Sequence, residues 1–186
     1  KHFLDSLACV KAVDMNEVKT VMDIGTGAGF PGVPLKIAFP HLEACLLDSL
    51  KKRVNFLEET FELLKLENIT AIHGRAEEFA KNKAYREKYD LCVSRAVSNL
   101  ATLSEYCLPY VKVGGKFISY KSGTVKEEVE QAEKAVSILG GKIQDVVYFN
   151  LPDSEIQRSL VVIKKIKSTP GKYPRKAGTP LKEPLV

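Results

Sequence analysis

The sequence predicts a Rossmann-like α/β protein: a mostly parallel seven-stranded sheet with helices on both faces and an antiparallel last strand. Short apolar runs alternate along the chain with segments of helical periodicity, as in a parallel sheet whose crossovers are helices. A glycine-rich turn (VMDIGTGAGFPG, residues 21–32) follows the first run, which is typical of the first strand of a nucleotide-binding sheet. The last two runs are joined by a link too short for a helical crossover, so they should pair antiparallel.

The strands are predicted from apolar runs bounded by turn residues. In chain order they are Thr20–Ile24, Glu43–Leu47, Ile69–His73, Leu91–Ser94, Lys116–Tyr120, Ile143–Tyr148 and Leu160–Lys165. Five strand–helix units closed by an antiparallel pair form the architecture of class I AdoMet-dependent methyltransferases. A dinucleotide-dependent dehydrogenase would normally need a second domain, for which this chain has no room.

The predicted helices follow from apolar residues at helical spacing. One begins the chain (HFLDSLACVKAV), and because Lys1 lies inside this pattern we expect a further segment upstream. Others are predicted at 50–66, at 99–111 with an interruption at Pro109, and at 125–139. For the last, Thr124 and Glu127 form a predicted capping box, and two glycines end the helix.

The composition fits one globular domain at 1–166 followed by a basic, proline-rich tail at 167–186. The chain has 186 residues, 45% of them hydrophobic and 27% charged. No apolar run approaches the ~20 residues of a membrane span, so no membrane partner is expected, and a monomer is. The cysteines and histidines do not cluster, so we expect no metal site and a reducing, cytoplasmic compartment. These residues are Cys9, Cys45, Cys92, Cys107, His2, His41 and His73.

The glycine turn predicts a cofactor site. Asp23 stands two residues before the run Gly25, Gly27 and Gly29, which resembles the first motif of class I methyltransferases. There the acid organises the loop, and the glycines let the backbone approach the amino-acid part of the cofactor. Residues 27–32 also fit GxGxxG, so an NAD(P)-binding oxidoreductase is an alternative, although that motif alone is weak evidence.

Polar residues after the second and third strands predict the rest of the cofactor site. Asp48 would accept hydrogen bonds from ribose hydroxyls, or it caps the following helix. Ala76, through its backbone amide, and Glu77 would hold the adenine edge, or this acidic segment is an ordinary helix start.

The end of the fourth strand (SRAV, residues 94–97) lacks the Asn- or Asp-Pro-Pro-aromatic motif that amino-methylating enzymes of this class place there. A ring nitrogen with a free lone pair, such as guanine N7, needs no such motif because no proton has to be removed. Arg95 would orient the methyl donor or the guanine edge. Lys121, at the end of the fifth strand, is a further candidate for contacting guanine or phosphate.

Two groups of basic residues predict a polyanionic partner. Residues 164–186 carry seven basic residues and one acidic residue, so this segment accounts for all of the chain's net positive charge of +5. Lys51, Lys52 and Arg53 begin a helix, where the dipole disfavours cations, so we expect phosphate contacts there. The alternative for the tail is a solvated, disordered basic end. The alternative for Lys51, Lys52 and Arg53 is a tolerated run of surface charges.

Several motifs together resemble the RsmG (GidB) family of bacterial 16S rRNA methyltransferases over essentially the whole chain. They are KHFLDSL, DIGTGAGFPGVPL, DSLKKRVNFL, GRAEE, SRAV and YPRKAGTPLKEPL. The resemblance implies AdoMet-dependent methylation of N7 of one guanine in the decoding region, with 16S rRNA or the small ribosomal subunit as partner. By position, it implies AdoMet contacts at Gly25, Phe30, Ala76, Glu77 and Arg95.

The tail is expected to bind RNA phosphates through Lys172, Arg175 and Lys176. Replacing Arg175 by alanine should therefore weaken RNA binding and flatten its salt dependence, with AdoMet binding near normal. A non-catalytic RNA-binding module with a relic cofactor pocket is the remaining alternative, against which the complete glycine motif, Asp48 and Arg95 argue.

Overall fold

The computed structural model describes residues 2–96, 98–152 and 154–185. Three residues named above lie outside the described residues: Lys1, Val97 of the SRAV motif and Asp153 of the predicted link. The strands are β1 Thr20–Ile24, β2 Glu43–Asp48, β3 Ile69–His73, β4 Tyr89–Ser94, β5 Val111–Ser122, β6 Gly141–Asn150 and β7 Gln157–Lys165. The α-helices are α1 His2–Leu7, α2 Gly32–Ala38, α3 Lys51–Leu63, α4 Ala76–Phe79, α5 Leu100–Cys107, α6 Lys126–Ile138 and α7 Thr179–Lys182.

The predicted fold class is confirmed. The seven strands form one sheet in the order β3-β2-β1-β4-β5-β7-β6. The first five strands run parallel to one another, and β7 runs antiparallel to both β5 and β6. The strand order reverses between β1 and β4, so the connections that leave these two strands run in opposite directions and leave a crevice at the carboxyl ends, where α/β sheets bind their ligands.

Alternate residues of the central strands feed hydrophobic cores on both faces of the sheet. In β1, Met22 packs in the core beneath α5 and α6, whereas Val21 packs in the core beneath the N-terminal helix and α2. Because helices cover both faces of the sheet, the sequences of the inner strands are nearly continuous apolar runs. This packing fixes the strand ends, and therefore the loops that form the site.

Two predicted helix boundaries were wrong. The Thr124–Glu127 capping box is not formed: α6 begins at Lys126, its N-cap is Val125, and no side-chain hydrogen bond caps it. Val125 is buried, and its packing in the core sets where the helix starts. The first helix is shorter than predicted, because α1 ends at Leu7 and continues as a 3-10 turn, Ala8–Lys11. The interruption at Pro109 is confirmed as a 3-10 turn after α5.

The basic C-terminal segment packs against the rest of the chain. Tyr173 and Pro180 are buried, and the Oγ1 of buried Thr169 donates to the carbonyl of Leu139 at 2.7 Å. The guanidinium of Arg86 donates to the carbonyls of Thr169 and Tyr173. These contacts carry the segment back across α5 to the carboxyl edge of the sheet. No helix among the described residues is both long enough and apolar enough to cross a membrane.

Candidate functional site

A cavity of about 440 Å³ lies at the carboxyl ends of β1 to β4. Its wall brings together five residues that the sequence predicted for the cofactor: Gly25, Asp48, Ala76, Glu77 and Arg95. Asp23 lies before this wall in β1, and Gly27, Gly29 and Phe30 follow Gly25 in the glycine loop. One ligand of nucleoside size would therefore meet residues from four separate loops, each placed by its own strand.

The glycine loop takes backbone conformations that side chains disfavour. Gly25, Gly27 and Gly29 have φ angles of +70°, +62° and +97°. A Cβ atom on Gly29 would lie 2.6 Å from Cγ2 of Val33, so this position also lacks space for a side chain. At Gly27 a Cβ would meet no atom within 4 Å, which leaves its backbone open to a ligand.

Asp23 holds the loop against the start of α2. Its Oδ2 accepts hydrogen bonds from Thr26 Oγ1 at 2.7 Å and from the backbone amide of Gly32 at 2.8 Å. Burial raises the pKa of the Asp23 carboxyl to about 7. Asp23 does not line the cavity, so its proposed part in cofactor binding is to shape the loop, as the motif comparison predicts.

Asp48 joins the glycine loop to the start of α3. Its Oδ2 accepts from the amide of Gly27 at 2.9 Å and from Arg53 at 3.3 Å, and its Oδ1 accepts from the amide of Leu50 at 2.9 Å. It therefore satisfies one helix-start amide, although the N-cap position belongs to Leu50. A carboxylate has about four acceptor positions, so one is left for a ribose hydroxyl, and the cap and ribose interpretations are compatible.

The C-terminal segment forms part of the cavity wall, which sequence reasoning missed. The Oε1 of Glu77 accepts a hydrogen bond from the amide of Gly178 at 2.8 Å. Leu181, which follows in α7, lines the cavity opposite β3 and α4. Thr102 of α5 anchors the same turn by donating to the carbonyl of Pro180 at 2.9 Å. Tail and cofactor site are therefore one structural unit.

Arg175 fastens this segment through a buried ion pair. Glu105 of α5 is fully buried, and its carboxylate accepts from the backbone amide, Nε and Nη2 of Arg175 at 2.7–3.1 Å. The hydrogen bonds to Glu105 raise the pKa of the Arg175 guanidinium. The side chain of Arg175, predicted to bind RNA phosphates, is thus engaged inside the protein, and its contact with RNA stays a prediction. The lone acid in the apolar sequence LATLSEYC was the signal that could have revealed this contact.

A second cavity of about 540 Å³ adjoins the first. The two share Arg95, Ala96 and Ser98 in their walls. Arg95 is fixed at this junction, since its Nη1 lies 3.3 Å from Oδ2 of Asp5 and its guanidinium lies 5.2 Å from the ring centroid of Phe30. The predicted residues Phe30 and Arg95 are thus in contact, and α1 supplies their support through Asp5.

Lys121 also lines the second cavity. Its Nζ donates to the carbonyl of Ser98 and to Oε1 of Glu128, both at 2.6 Å. The same Glu128 oxygen accepts from the amide of Leu100 at 2.7 Å. These bonds tie the end of β5 to the starts of α5 and α6, so the second cavity has a rigid polar wall.

The predicted basic residues flank the first cavity. Lys51 and Lys52 are exposed at the start of α3, and Lys172 and Lys176 are exposed in the C-terminal segment. Arg53 differs from its neighbours because it turns to Asp48 and lines the cavity. The start of α3, through Arg53, and the C-terminal segment, through Leu181, both contribute to the wall of the first cavity.

No metal or redox centre is evident in the part of the chain that the structure describes. No group of three or more metal-binding side chains occurs among these residues. The four cysteines are free and buried. Burial raises the pKa of Cys9 to about 11, which keeps this thiol protonated at neutral pH.

Comparisons with known proteins agree with this geometry. The profile of the family described as GidB, rRNA small subunit methyltransferase G, matches residues 1–161. The chain is similar to "Ribosomal RNA small subunit methyltransferase G" of Lachnoclostridium phytofermentans, at 57% identity over 186 residues, which are 100% of this chain and 77% of that protein. It is likewise similar to the Acetivibrio thermocellus protein of that name, at 56% identity over 100% and 76% of the two chains. The solved structure of P. horikoshii TYW2 in complex with MeSAdo is similar in fold, with a TM-score of 0.68 and 13% identity over 88% of this chain and 62% of that one.

Proposed function

Because this chain belongs to the rRNA small subunit methyltransferase G (GidB) family, we propose that it transfers a methyl group from AdoMet to N7 of a guanine in the decoding region of 16S rRNA. It is an AdoMet-dependent methyltransferase of small-subunit rRNA, as the family is. The target atom and the position in the RNA are the proposal. One observation supports transfer from a cofactor to a base most: two adjoining cavities meet at Arg95, one suited to a nucleoside cofactor and one to a base.

The first cavity fits AdoMet in its donors, acceptors and size. Gly25 lines the cavity at the glycine loop, where the amino-acid part would lie, Asp48 keeps an acceptor for the ribose, and Ala76 and Glu77 stand where the adenine edge would lie. A volume of about 440 Å³ lies within the range usual for small-ligand sites. When bound, AdoMet would supply an electrophilic methyl group on its sulfonium.

The chain's part in the reaction is to position the two reactants. Guanine N7 carries no proton at neutral pH, so no side chain has to act as a base. Holding both reactants in the correct orientation can by itself remove a large share of the activation free energy. An arginine that donated to N7 would occupy the lone pair that attacks. We therefore assign Arg95 to the cofactor carboxylate or to guanine O6, and Lys121 to the base side of the junction.

The basic residues beside the opening supply the attraction to RNA. Lys51, Lys52, Lys172 and Lys176 are free to meet phosphates, with the salt dependence that such contacts bring. We propose that Arg53, which is half exposed and bonded to Asp48, acts at the cofactor cavity and its rim, and that Arg175 assists by fixing the C-terminal segment. The partner would be 16S rRNA or the small ribosomal subunit, bound by a monomer in the cytoplasm.

Calorimetric titration with AdoMet, with NAD as the control, tests the cofactor side of this proposal. We expect saturable AdoMet binding and no heat from NAD. Binding of NAD alone would favour an oxidoreductase. AdoMet binding without transfer to any RNA would favour a binding module that keeps only the pocket.

Replacing Leu181 by alanine is expected to weaken AdoMet binding about fivefold, because the ligand would cover part of this apolar side chain. Leu63→Ala is a matched control, since Leu63 is 82% exposed at the end of α3 and lies outside the cavity wall. Titration of both variants with AdoMet measures the difference. Equal affinity in wild type and Leu181→Ala would mean that α7 does not touch the cofactor.

A further inference from the structure

The polar wall of the second cavity carries a further inference about base selection. We propose that this cavity receives the target guanine and that Glu128 reads its Watson–Crick edge, which rests on the proposed function above.

Guanine has its N7 and its Watson–Crick donors on opposite sides of the purine. For transfer, N7 must face the junction with the cofactor cavity, where Arg95, Ala96 and Ser98 lie. The N1–H and N2–H₂ groups then face the remaining wall. That wall contains Lys121 at the end of β5 and Glu128 on α6.

Glu128 is held in place and keeps one oxygen available. Its Oε1 accepts from the amide of Leu100 at 2.7 Å and from Lys121 Nζ at 2.6 Å. Among the residues that the structure describes, no hydrogen bond to its Oε2 occurs. The side chain is 29% exposed, so the free oxygen can be reached from the cavity. The other carboxylate of this wall, Asp5, is already paired with Arg95 and Arg158.

A fixed carboxylate in this place distinguishes guanine from adenine. Guanine presents two adjacent donors, N1–H and N2–H₂, and Oε2 of Glu128, with its two lone pairs, can accept from them while Oε1 stays bonded to Leu100 and Lys121. Adenine presents the acceptor N1 at the same point, which a carboxylate repels. Lys121 uses two of its three donors on Ser98 and Glu128 and has one left for guanine O6. The pair would therefore match O6, N1–H and N2–H₂ at once.

Glu128 also satisfies the start of α5, so a purely structural role must be separated from base reading. Glu128→Gln is suited to this because glutamine keeps an acceptor for the Leu100 amide and nearly the same shape. The glutamine side chain also places an NH₂ donor opposite the N1–H and N2–H₂ donors of guanine, so the proposed hydrogen bonds are lost. Glu127→Gln is the matched control, since Glu127 is the exposed neighbour outside the cavity wall and loses the same charge.

The test compares guanosine with inosine at the methylated position. Inosine keeps N7 and lacks only the exocyclic amine. Small subunits are reconstituted with ligated 16S rRNA carrying either nucleoside, and kcat/KM for methyl transfer is measured. For wild type and Glu127→Gln we expect inosine to be poorer by about 10- to 100-fold, the range for one hydrogen bond to a charged acceptor. For Glu128→Gln we expect the difference to shrink to about threefold or less, because the charged acceptor is gone.

Each outcome has a distinct meaning. If Glu128→Gln keeps the wild-type preference for guanosine, Glu128 does not read the base. If wild type accepts inosine as well as guanosine, the exocyclic amine is not read and the proposed contact with it is wrong. The second comparison needs no variant and shows whether the amine is read at all. AdoMet affinity of Glu128→Gln equal to that of wild type shows that the variant is folded, and its preference then shows whether Glu128 reads the base. If wild type methylates neither substrate while it binds AdoMet, the proposed function itself fails.

Discussion

Replacing Arg175 by methionine is expected to lower the free energy of unfolding by about 3 kcal/mol, the low end of the cost of breaking a buried pair by removing one partner. The carboxylate of Glu105 is fully buried and would lose its charged partner. The variant should also bind AdoMet more weakly, because the released segment carries Gly178 away from Glu77 and Leu181 away from the cavity. Chemical denaturation and AdoMet titration measure the two effects.

A double variant controls for lost packing. Glu105→Met combined with Arg175→Met replaces the ion pair by two apolar side chains of similar length, and such replacements are often neutral or stabilising. We expect the double variant to recover most of the stability that Arg175→Met loses. A single variant as stable as wild type would show that the pair does not hold the segment down. Unchanged AdoMet affinity in a destabilised Arg175→Met would separate the segment from the cofactor site.

Replacing Arg95 by methionine is expected to weaken AdoMet binding by about 10- to 100-fold, the value of a hydrogen bond between charged groups. This follows if Arg95 holds the carboxylate of the cofactor at the junction of the two cavities. The fold should tolerate the change, because Asp5 keeps its ion pair with Arg158 at 3.3 Å. Calorimetry on the purified variant gives the affinity.

Decarboxylated AdoMet identifies which group Arg95 holds. Wild type should bind this analogue more weakly than AdoMet, and Arg95→Met should bind the two equally. If the variant instead binds AdoMet normally and loses only turnover, Arg95 acts on guanine O6. A variant with normal affinity and normal turnover would remove Arg95 from the site altogether.

Local patterns were sufficient to predict the sheet. Each parallel strand is an apolar run because helices cover both faces, and the short link before the last strand required an antiparallel pair. The glycine motif placed the cavity correctly for the same reason: it follows directly from β1, within a few residues. Helix boundaries were less predictable, as at Thr124, since packing of the neighbouring Val125 decided where α6 begins.

Contacts between distant parts of the chain could not be predicted. The amide of Gly178 meets Glu77 across 101 residues, and Arg175 meets Glu105 across 70. Local periodicity does not indicate such pairs. The charge of the tail predicts contact with RNA but not its packing against the rest of the chain. The contact between Arg53 and Asp48 is easier to predict from sequence, because the two residues are only five positions apart. The roles assigned to the individual site residues remain predictions, and the variants above test them.

Mapping the methylated atom tests the central claim most directly. Small subunits from a bacterial strain that lacks its own family methyltransferase are incubated with this protein and labelled AdoMet. The 16S rRNA is then digested and analysed by mass spectrometry, with borohydride–aniline cleavage to locate any 7-methylguanosine. We predict a single 7-methylguanosine in the decoding region. Methyl groups on another atom or on another RNA, or no transfer by a protein that binds AdoMet, would contradict the account.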